Sequence, residues 1–191
     1  MNQTTRCGWC VGDPLYEAYH DKEWGVPLYE DGPLFEFLIL ETFQAGLSWI
    51  TVLRKRENFR KAFDDFDYEK IAAYSEGKIQ ELLSDPGIIR NAQKIRACVA
   101  NALAFMEVQK EFGSFSSYIW GFVNGIPLQN ELKHYKEAPA MTDLSVEISK
   151  DLKKRGFKFV GPTVVYAHMQ ATGMVNDHEV GCFRHKSLRQ Q

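Results

Sequence analysis

This chain lacks an apolar run long enough to cross a bilayer: its longest hydrophobic segment, residues 34–53, is broken by Glu36, Glu41 and Gln44. The first ten residues, MNQTTRCGWC, contain no apolar core, so no secretory leader is expected and the protein is expected to be soluble and cytoplasmic, without a membrane partner. A surplus of charge is missing too. Lys and Arg number 23 against 25 Asp and Glu, a net charge of −2, so bulk charge offers no pull toward nucleic acid, and any such contact must come from local basic clusters. Cysteine is scarce, with four in 191 residues, and inside a cell these are expected to be reduced or metal-bound rather than paired in disulfides. There is no internal repeat, no low-complexity tract and no convincing strand alternation. An all-α fold is left, as one large domain or two small lobes.

Aromatic residues, by contrast, are plentiful: 13 Phe, 8 Tyr and 4 Trp. They are core material for a chain that should bury about 70% of its unfolded surface. The rest is organised around residues 34–59, LFEFLILETFQAGLSWITVLRKRENF. Pro33 after Asp31-Gly32 marks a helix start, with Asp31 or Gly32 near the cap. Phe35, Leu38, Ile39 and Thr42 recur at helical spacing, and Phe37, Leu40 and Phe43 fill the other sides, so this helix is expected to be buried nearly all round. A carboxylate in it, Glu41, costs on the order of several kcal/mol unless it is paired, hydrogen-bonded or facing a polar cavity. Either it meets an Arg, backbone amides or a helix start, or it lines a ligand pocket. Gln44-Ala45-Gly46-Leu47 then interrupts the helix. Ser48 is placed to cap a second one through Trp49, Ile50, Val52 and Leu53, which ends in Arg54-Lys55-Arg56. Leu47, at the tip of a glycine-containing turn, is expected to be an exposed apolar side chain.

Asp13-Pro14 opens a helix that puts Tyr16, Tyr19 and His20 on one face. Asp67 caps a short helix, residues 76–83 form another, and 88–111 a long one containing Cys98 as an inert core thiol. Phe115, Tyr118, Ile119 and Phe122 make a further aromatic helix, and 124–141 reads as a mobile polar loop. A helix capped by Thr142 or Ser145 ends in Lys153-Lys154-Arg155-Gly156. After Phe157-Lys158-Phe159-Val160-Gly161, Pro162 starts another helix. Gly161 at that second start lets backbone amides approach an anion, so the turn can hold a DNA phosphate; it also fits an ordinary αα-hairpin with a solvated basic end. Finally, Cys7-x2-Cys10 and His178-x3-Cys182 have the spacing of a structural zinc tetrad, and His20 is a fifth candidate for four positions. With or without His20, such a set ties the two ends of the chain together.

Taken together, R-C-G-W near the N-terminus, D-P-L-Y-x-A-Y-H-D-x-E-W-G, L-E-x-x-Q-A-G-L-S-W-I-T-V-L, K-K-R-G-F-K-F-V-G and V-N-D-H-x-V-G-C closely resemble the DNA-3-methyladenine glycosylase I family. The match keeps the same order from Arg6 to Cys182. The resemblance implies a helix-hairpin-helix DNA glycosylase of one domain over 1–191, with a helical lobe over 30–140, a hairpin-containing region to 173, and termini clamped by one structural zinc. It implies a monomer that flips 3-methyladenine out of double-stranded DNA and excises it by hydrolysis. Carried over by position, the zinc ligands become Cys7, His20, His178 and Cys182, with Cys10 a neighbour. Glu41 becomes the catalytic carboxylate, in a pocket with Tyr16, Tyr19, Trp49 and Trp9. Leu47 becomes the wedge in the base stack, and Lys153, Lys154, Gly156, Lys158, Gly161 and Thr163 the DNA-anchoring hairpin. An Asp used beyond the hairpin by many relatives finds its nearest counterpart in Asp177, which ranks below Glu41 because its interval from Gly161 is shorter. The Schiff-base Lys of bifunctional relatives falls on Thr163, which implies no strand-cleaving lyase chemistry.

Overall fold

The computed structural model describes residues 5–44 and 46–189. Its helices are α1 (Pro14–Lys22), α2 (Asp31–Gln44), α3 (Trp49–Leu53), α4 (Arg56–Ala62), α5 (Tyr68–Ala72), α6 (Glu76–Ser84), α7 (Ala92–Phe112), α8 (Phe115–Gly121), α9 (Asp143–Lys154), α10 (Pro162–Ala171) and α11 (Phe183–Leu188). The segment expected to be a polar loop carries a 3-10 turn at Tyr135–Glu137 and a strand, β1 (Leu128–Gln129), paired in parallel with β2 (Val175–Asn176). Two residues per strand are too few to leave an alternating pattern, so the all-α reading stands with this small addition.

α2 lies at the centre, packed against α3, α7, α8 and α10. Leu34, Phe35 and every residue from Phe37 to Phe43 are buried, as a helix apolar on all sides requires. Phe43 meets Phe59 at 4.7 Å between ring centroids, and Phe35 meets Phe105 at 5.0 Å, which stacks on Phe115 at 4.3 Å. Each such ring pair contributes about 0.5–1.5 kcal/mol beyond the area it buries. The two glutamates of α2 fare differently. Glu36 accepts from Arg56 Nε at 2.6 Å and from Arg60 Nε at 3.0 Å, whereas Glu41 meets no cation among the described residues.

Several boundaries differ from the sequence expectation, each for a physical reason. Asp31 does not use its carboxylate on its own helix: it accepts from the Phe115 and Ser116 amides of α8 at 2.9 and 2.8 Å and from Gln109 Nε2 at 2.7 Å. It thereby satisfies the open N–H groups of a distant helix start. The long helix begins at Ala92 rather than 88, because Asn91 caps it through the Lys94 amide. Ser48 precedes α3, but its hydroxyl meets Thr51 Oγ1 at 2.8 Å instead of capping an amide. The basic run 54–56 is split, since Arg56 opens α4 and is buried between Glu36 and Glu23. Thr142 is the cap of α9, in a reciprocal box with Ser145.

Candidate functional site

A cavity of about 200 Å³ opens between α1, α2, α3, α10 and the 135–138 turn, lined by Trp9, Tyr16, Tyr19, Trp24, Glu41, Gln44, Trp49, Tyr135, Ala138, Ala167, Gln170 and Asp177. The i, i+3 spacing of Tyr16 and Tyr19 on α1 turns both rings to this wall. Trp9 meets Tyr16 edge-on at 4.7 Å, and Tyr19 lies 5.5 Å from Trp49. All five residues expected in a pocket therefore line one cavity. Burial holds both phenols in their neutral form: Tyr16 is pushed up to about 12, mainly by desolvation, and Tyr19 is raised well above its ordinary value by the same cause.

Glu41 is 3% exposed, and its Oε2 has no hydrogen-bond partner among the described residues; the same is true of the Trp49 Nε1–H. No arginine, amide or helix start among them answers this oxygen. Loss of solvent raises the carboxyl from 4.5 to about 8. One unpaired acceptor and one unpaired donor thus sit in an aromatic cavity, each costing free energy until a ligand meets it. Asp177 is built differently. Tyr166 Oη and Gln170 Nε2 donate to its Oδ2 at 2.6 and 2.8 Å, and Asn130 Nδ2 donates to its Oδ1 at 2.6 Å.

Below the cavity, Cys7, His20, His178 and Cys182 are all buried, with ligand atoms within 4.8 Å of one another. Each histidine uses its outer nitrogen elsewhere: His20 Nδ1–H donates to Asp21 at 2.8 Å, and His178 Nε2–H donates to the Trp24 carbonyl at 3.0 Å. Two ring nitrogens without a proton therefore face each other at 3.2 Å, with the Cys7 amide donating to His20 Nε2 at 3.4 Å, a donor set suited to holding a cation. The Cys182 thiol is held well below its ordinary range by the hydrogen bond from Cys7, and Cys7 is raised by the same contact. A tetrahedral ion bound at about 2.05 Å to nitrogen and about 2.3 Å to sulfur requires N–N edges near 3.4 Å and N–S edges near 3.6 Å. The observed separations are 3.2 Å for N–N and 3.5, 3.4 and 3.7 Å for N–S. Cys10 stands apart: its Sγ donates to the Cys7 carbonyl at 3.2 Å, and burial pushes its thiol up to about 12.

The basic hairpin joins α9 to α10. Gly156 takes φ +102° to end the first helix, and Gly161 caps the second with an ordinary φ of −63°. A β-carbon on Gly161 would meet nothing within 4 Å, so neither backbone nor packing demands glycine there. The first turn of α10 leaves the Gly161 and Thr163 amides without helical acceptors. Lys153, Lys154, Lys158 and Thr163 are exposed around them.

The sequence profile of methyladenine glycosylase matches residues 9–185. The chain belongs to the methyladenine glycosylase family. It is 51% identical over 177 residues to DNA-3-methyladenine glycosylase 1 of Escherichia coli (strain K12), covering 93% of this chain and 95% of that one. A crystal structure of 3-methyladenine DNA glycosylase I superposes with a TM-score of 0.92 at 50% identity, over 95% of this chain and 100% of that chain. A Staphylococcus aureus structure, described as the structural basis of 3-methyladenine recognition, superposes with a TM-score of 0.90 at 38% identity, over 93% and 95% of the two chains.

In this glycosylase, Leu47 is 43% exposed beside Gly46, just past the end of α2. Six cavity residues escaped the sequence reading: Trp24, Gln44, Tyr135, Ala138, Ala167 and Gln170. Gln44 alone had a visible signal, three residues beyond Glu41 on the same helix face. The others come from loops or from another helix, where no local spacing marks them.

Proposed function

We propose that this glycosylase flips 3-methyladenine out of alkylated duplex DNA into the aromatic cavity and hydrolyses its N-glycosidic bond, leaving the strand uncut. The observation that carries this reading is Glu41, a buried carboxyl with an unpartnered oxygen inside a wall of π faces. An adenine alkylated at N3 within DNA is a cation. Tyr and Trp rings attract it, and a Glu41 carboxylate accepts from its polar edge with the strength of a charge-assisted hydrogen bond. Neutral adenine lacks the cation–π attraction and the ion-pair part of that hydrogen bond, so discrimination follows from charge. As the C1′–N bond breaks, its electron pair neutralises the base and positive charge passes to the sugar. Water then adds at C1′ and its proton is released. The base leaves readily without a strong general acid, and Glu41 serves by holding negative charge beside the cation.

Flipping costs a few kcal/mol, offset in part by an apolar wedge in the vacated stack. Leu47 is the exposed side chain suited to that role. The Gly161 and Thr163 amides, flanked by Lys153, Lys154 and Lys158, take a backbone phosphate. In the Cys7, His20, His178 and Cys182 cluster, the donor set and edge lengths suit one zinc ion whose four positions are all filled, which makes it structural. The deciding assay incubates the protein with methylated duplex DNA and separates the products. Free 3-methyladenine with intact strands supports the proposal; binding of the lesion without base release would reduce the protein to a damage-binding module.

A further inference from the structure

Asn101 is a fully buried residue on α7 that does not line the base cavity. A buried carboxamide is costly unless both its ends are satisfied, and here a single residue of the hairpin satisfies both. Asn101 Nδ2 donates to the Lys158 carbonyl at 3.1 Å, and the Lys158 amide donates to Asn101 Oδ1 at 2.7 Å. Directly after Lys158, Phe159 has φ +56°, in the left-handed region that residues with a β-carbon avoid. Ser149 on α9, also buried, donates Oγ–H to the next carbonyl, that of Val160, at 2.6 Å. The strained residue is thus gripped on both sides from within the protein. A helix gains nothing from asparagine at an interior position, so the reason for Asn101 lies in what it holds.

We propose that Asn101 is a positioning residue for DNA binding. Its carboxamide fixes the Lys158 backbone so that Phe159 keeps its left-handed conformation and the Gly161 and Thr163 amides face outward to receive one phosphate. The inference rests on reading the hairpin as a phosphate anchor. Without the clamp, Phe159 relaxes toward an unstrained φ, and the amides two residues on lose their aim. Chemistry in the cavity is not touched by this change.

The test is single-turnover base release from methylated duplex at varied enzyme concentration, with Asn101→Leu, a replacement of similar size that deletes both hydrogen bonds. The half-saturating concentration should rise about ten-fold, the equivalent of one net hydrogen bond. The rate at saturation and the affinity for free 3-methyladenine should stay within about two-fold, a split that general damage to the fold does not produce. If the Leu variant does not fold, Asn101→Ala repeats the measurement with a side chain that cannot clash. A second arm places the change in a Phe159→Gly background, where glycine adopts the left-handed region freely and the clamp has less to hold. There the Asn101 effect should shrink to less than about three-fold. An unchanged half-saturating concentration, an equal loss of free-base affinity, or an undiminished effect in the Phe159→Gly background overturns the proposal. A Gly161→Val control separates the two layers. If it weakens duplex binding while the Asn101 variants do not, only the clamp is wrong; if it too is silent, the phosphate-anchor reading falls first.

Discussion

Glu41→Gln separates a carboxylate kept for function from one kept for stability, because the two roles predict opposite signs. Gln preserves shape and removes the charge. The native carboxyl titrates at about 8 against an ordinary value of 4.5, the shift arising from burial. Between those values the folded protein keeps a proton that the unfolded chain has released. Wild-type stability therefore falls as pH rises through the window, by up to about 1.4 kcal/mol per unit. Below 4.5 both states hold the proton, and above 8 neither does, so the loss is confined to the interval and totals no more than about 5 kcal/mol. The Gln variant does not titrate. Its stability should match wild type near pH 4.5 and exceed it by a growing margin up to pH 8.

Catalysis should move the other way. A cationic base favours the ionised carboxylate, so wild-type efficiency should climb with pH and level off near 8, the value of the free enzyme. In Glu41→Gln that limb should vanish, and efficiency at pH 8 should drop by the equivalent of roughly 1–3 kcal/mol, about five- to 150-fold. Denaturant melts at several pH values and single-turnover release give the two curves. A variant that is less stable than wild type at every pH, or that keeps full rate and full free-base affinity, would falsify the assignment and make Glu41 structural.

Three further outcomes follow from the same geometry. Alanine at Cys7, His20, His178 or Cys182 should abolish metal binding and cost several kcal/mol of stability, on the order of a lost structural site. Cys10→Ala should keep one ion per chain by elemental analysis; a metal-free Cys10 variant together with a metal-loaded His20→Ala would reverse the ligand set. Leu47→Ala should slow excision from duplex more than it weakens free-base binding, and equal losses would place Leu47 in the pocket wall. Gly161→Val should weaken binding to damaged and undamaged duplex alike and reduce its salt dependence, with free-base titration unchanged.

What the sequence disclosed follows from how local each signal is. Glu41 was visible because a charge among Leu, Ile and Phe at helical spacing is anomalous whatever the fold. The pocket tyrosines were visible as a stripe on one face of α1. The ligand set was not decided by spacing, since Cys10 satisfies C-x2-C as well as Cys7 does; the choice depends on where His20 sits after folding, with Nε2 3.2 Å from His178 Nδ1. Asp31 looked like a cap for its own helix and is instead an acceptor for α8, a partnership with a residue 84 positions further along the chain. Ile88 and Ile89 continue the apolar period of α7 and so hid the asparagine cap that starts it at Ala92. Asn101 gave no signal, because its partner lies 57 residues away.

On the proposed reading, two helices set the register between phosphate, base and wedge. α10 carries the open amides at its first turn and, further along, Ala167 and Gln170 in the cavity wall. At 1.5 Å per residue, Thr163 and Gln170 are separated by roughly 10 Å of helix axis. α2 carries Glu41 and Gln44 in the same cavity wall and has Leu47 just beyond its end. The two helices pack directly against each other, and His168 of α10 donates Nε2–H to the Leu34 carbonyl of α2 at 3.1 Å. Burial lowers that histidine to about 4, so it stays neutral throughout the range in which Glu41 titrates. Protonating Glu41 can therefore change affinity for a cationic base without changing the spacing between anchor and pocket. That independence is why the pH limb of excision can be assigned to one carboxyl, and why altering the hairpin or the wedge should shift the enzyme concentration needed for excision while leaving the apparent titration near 8 in place.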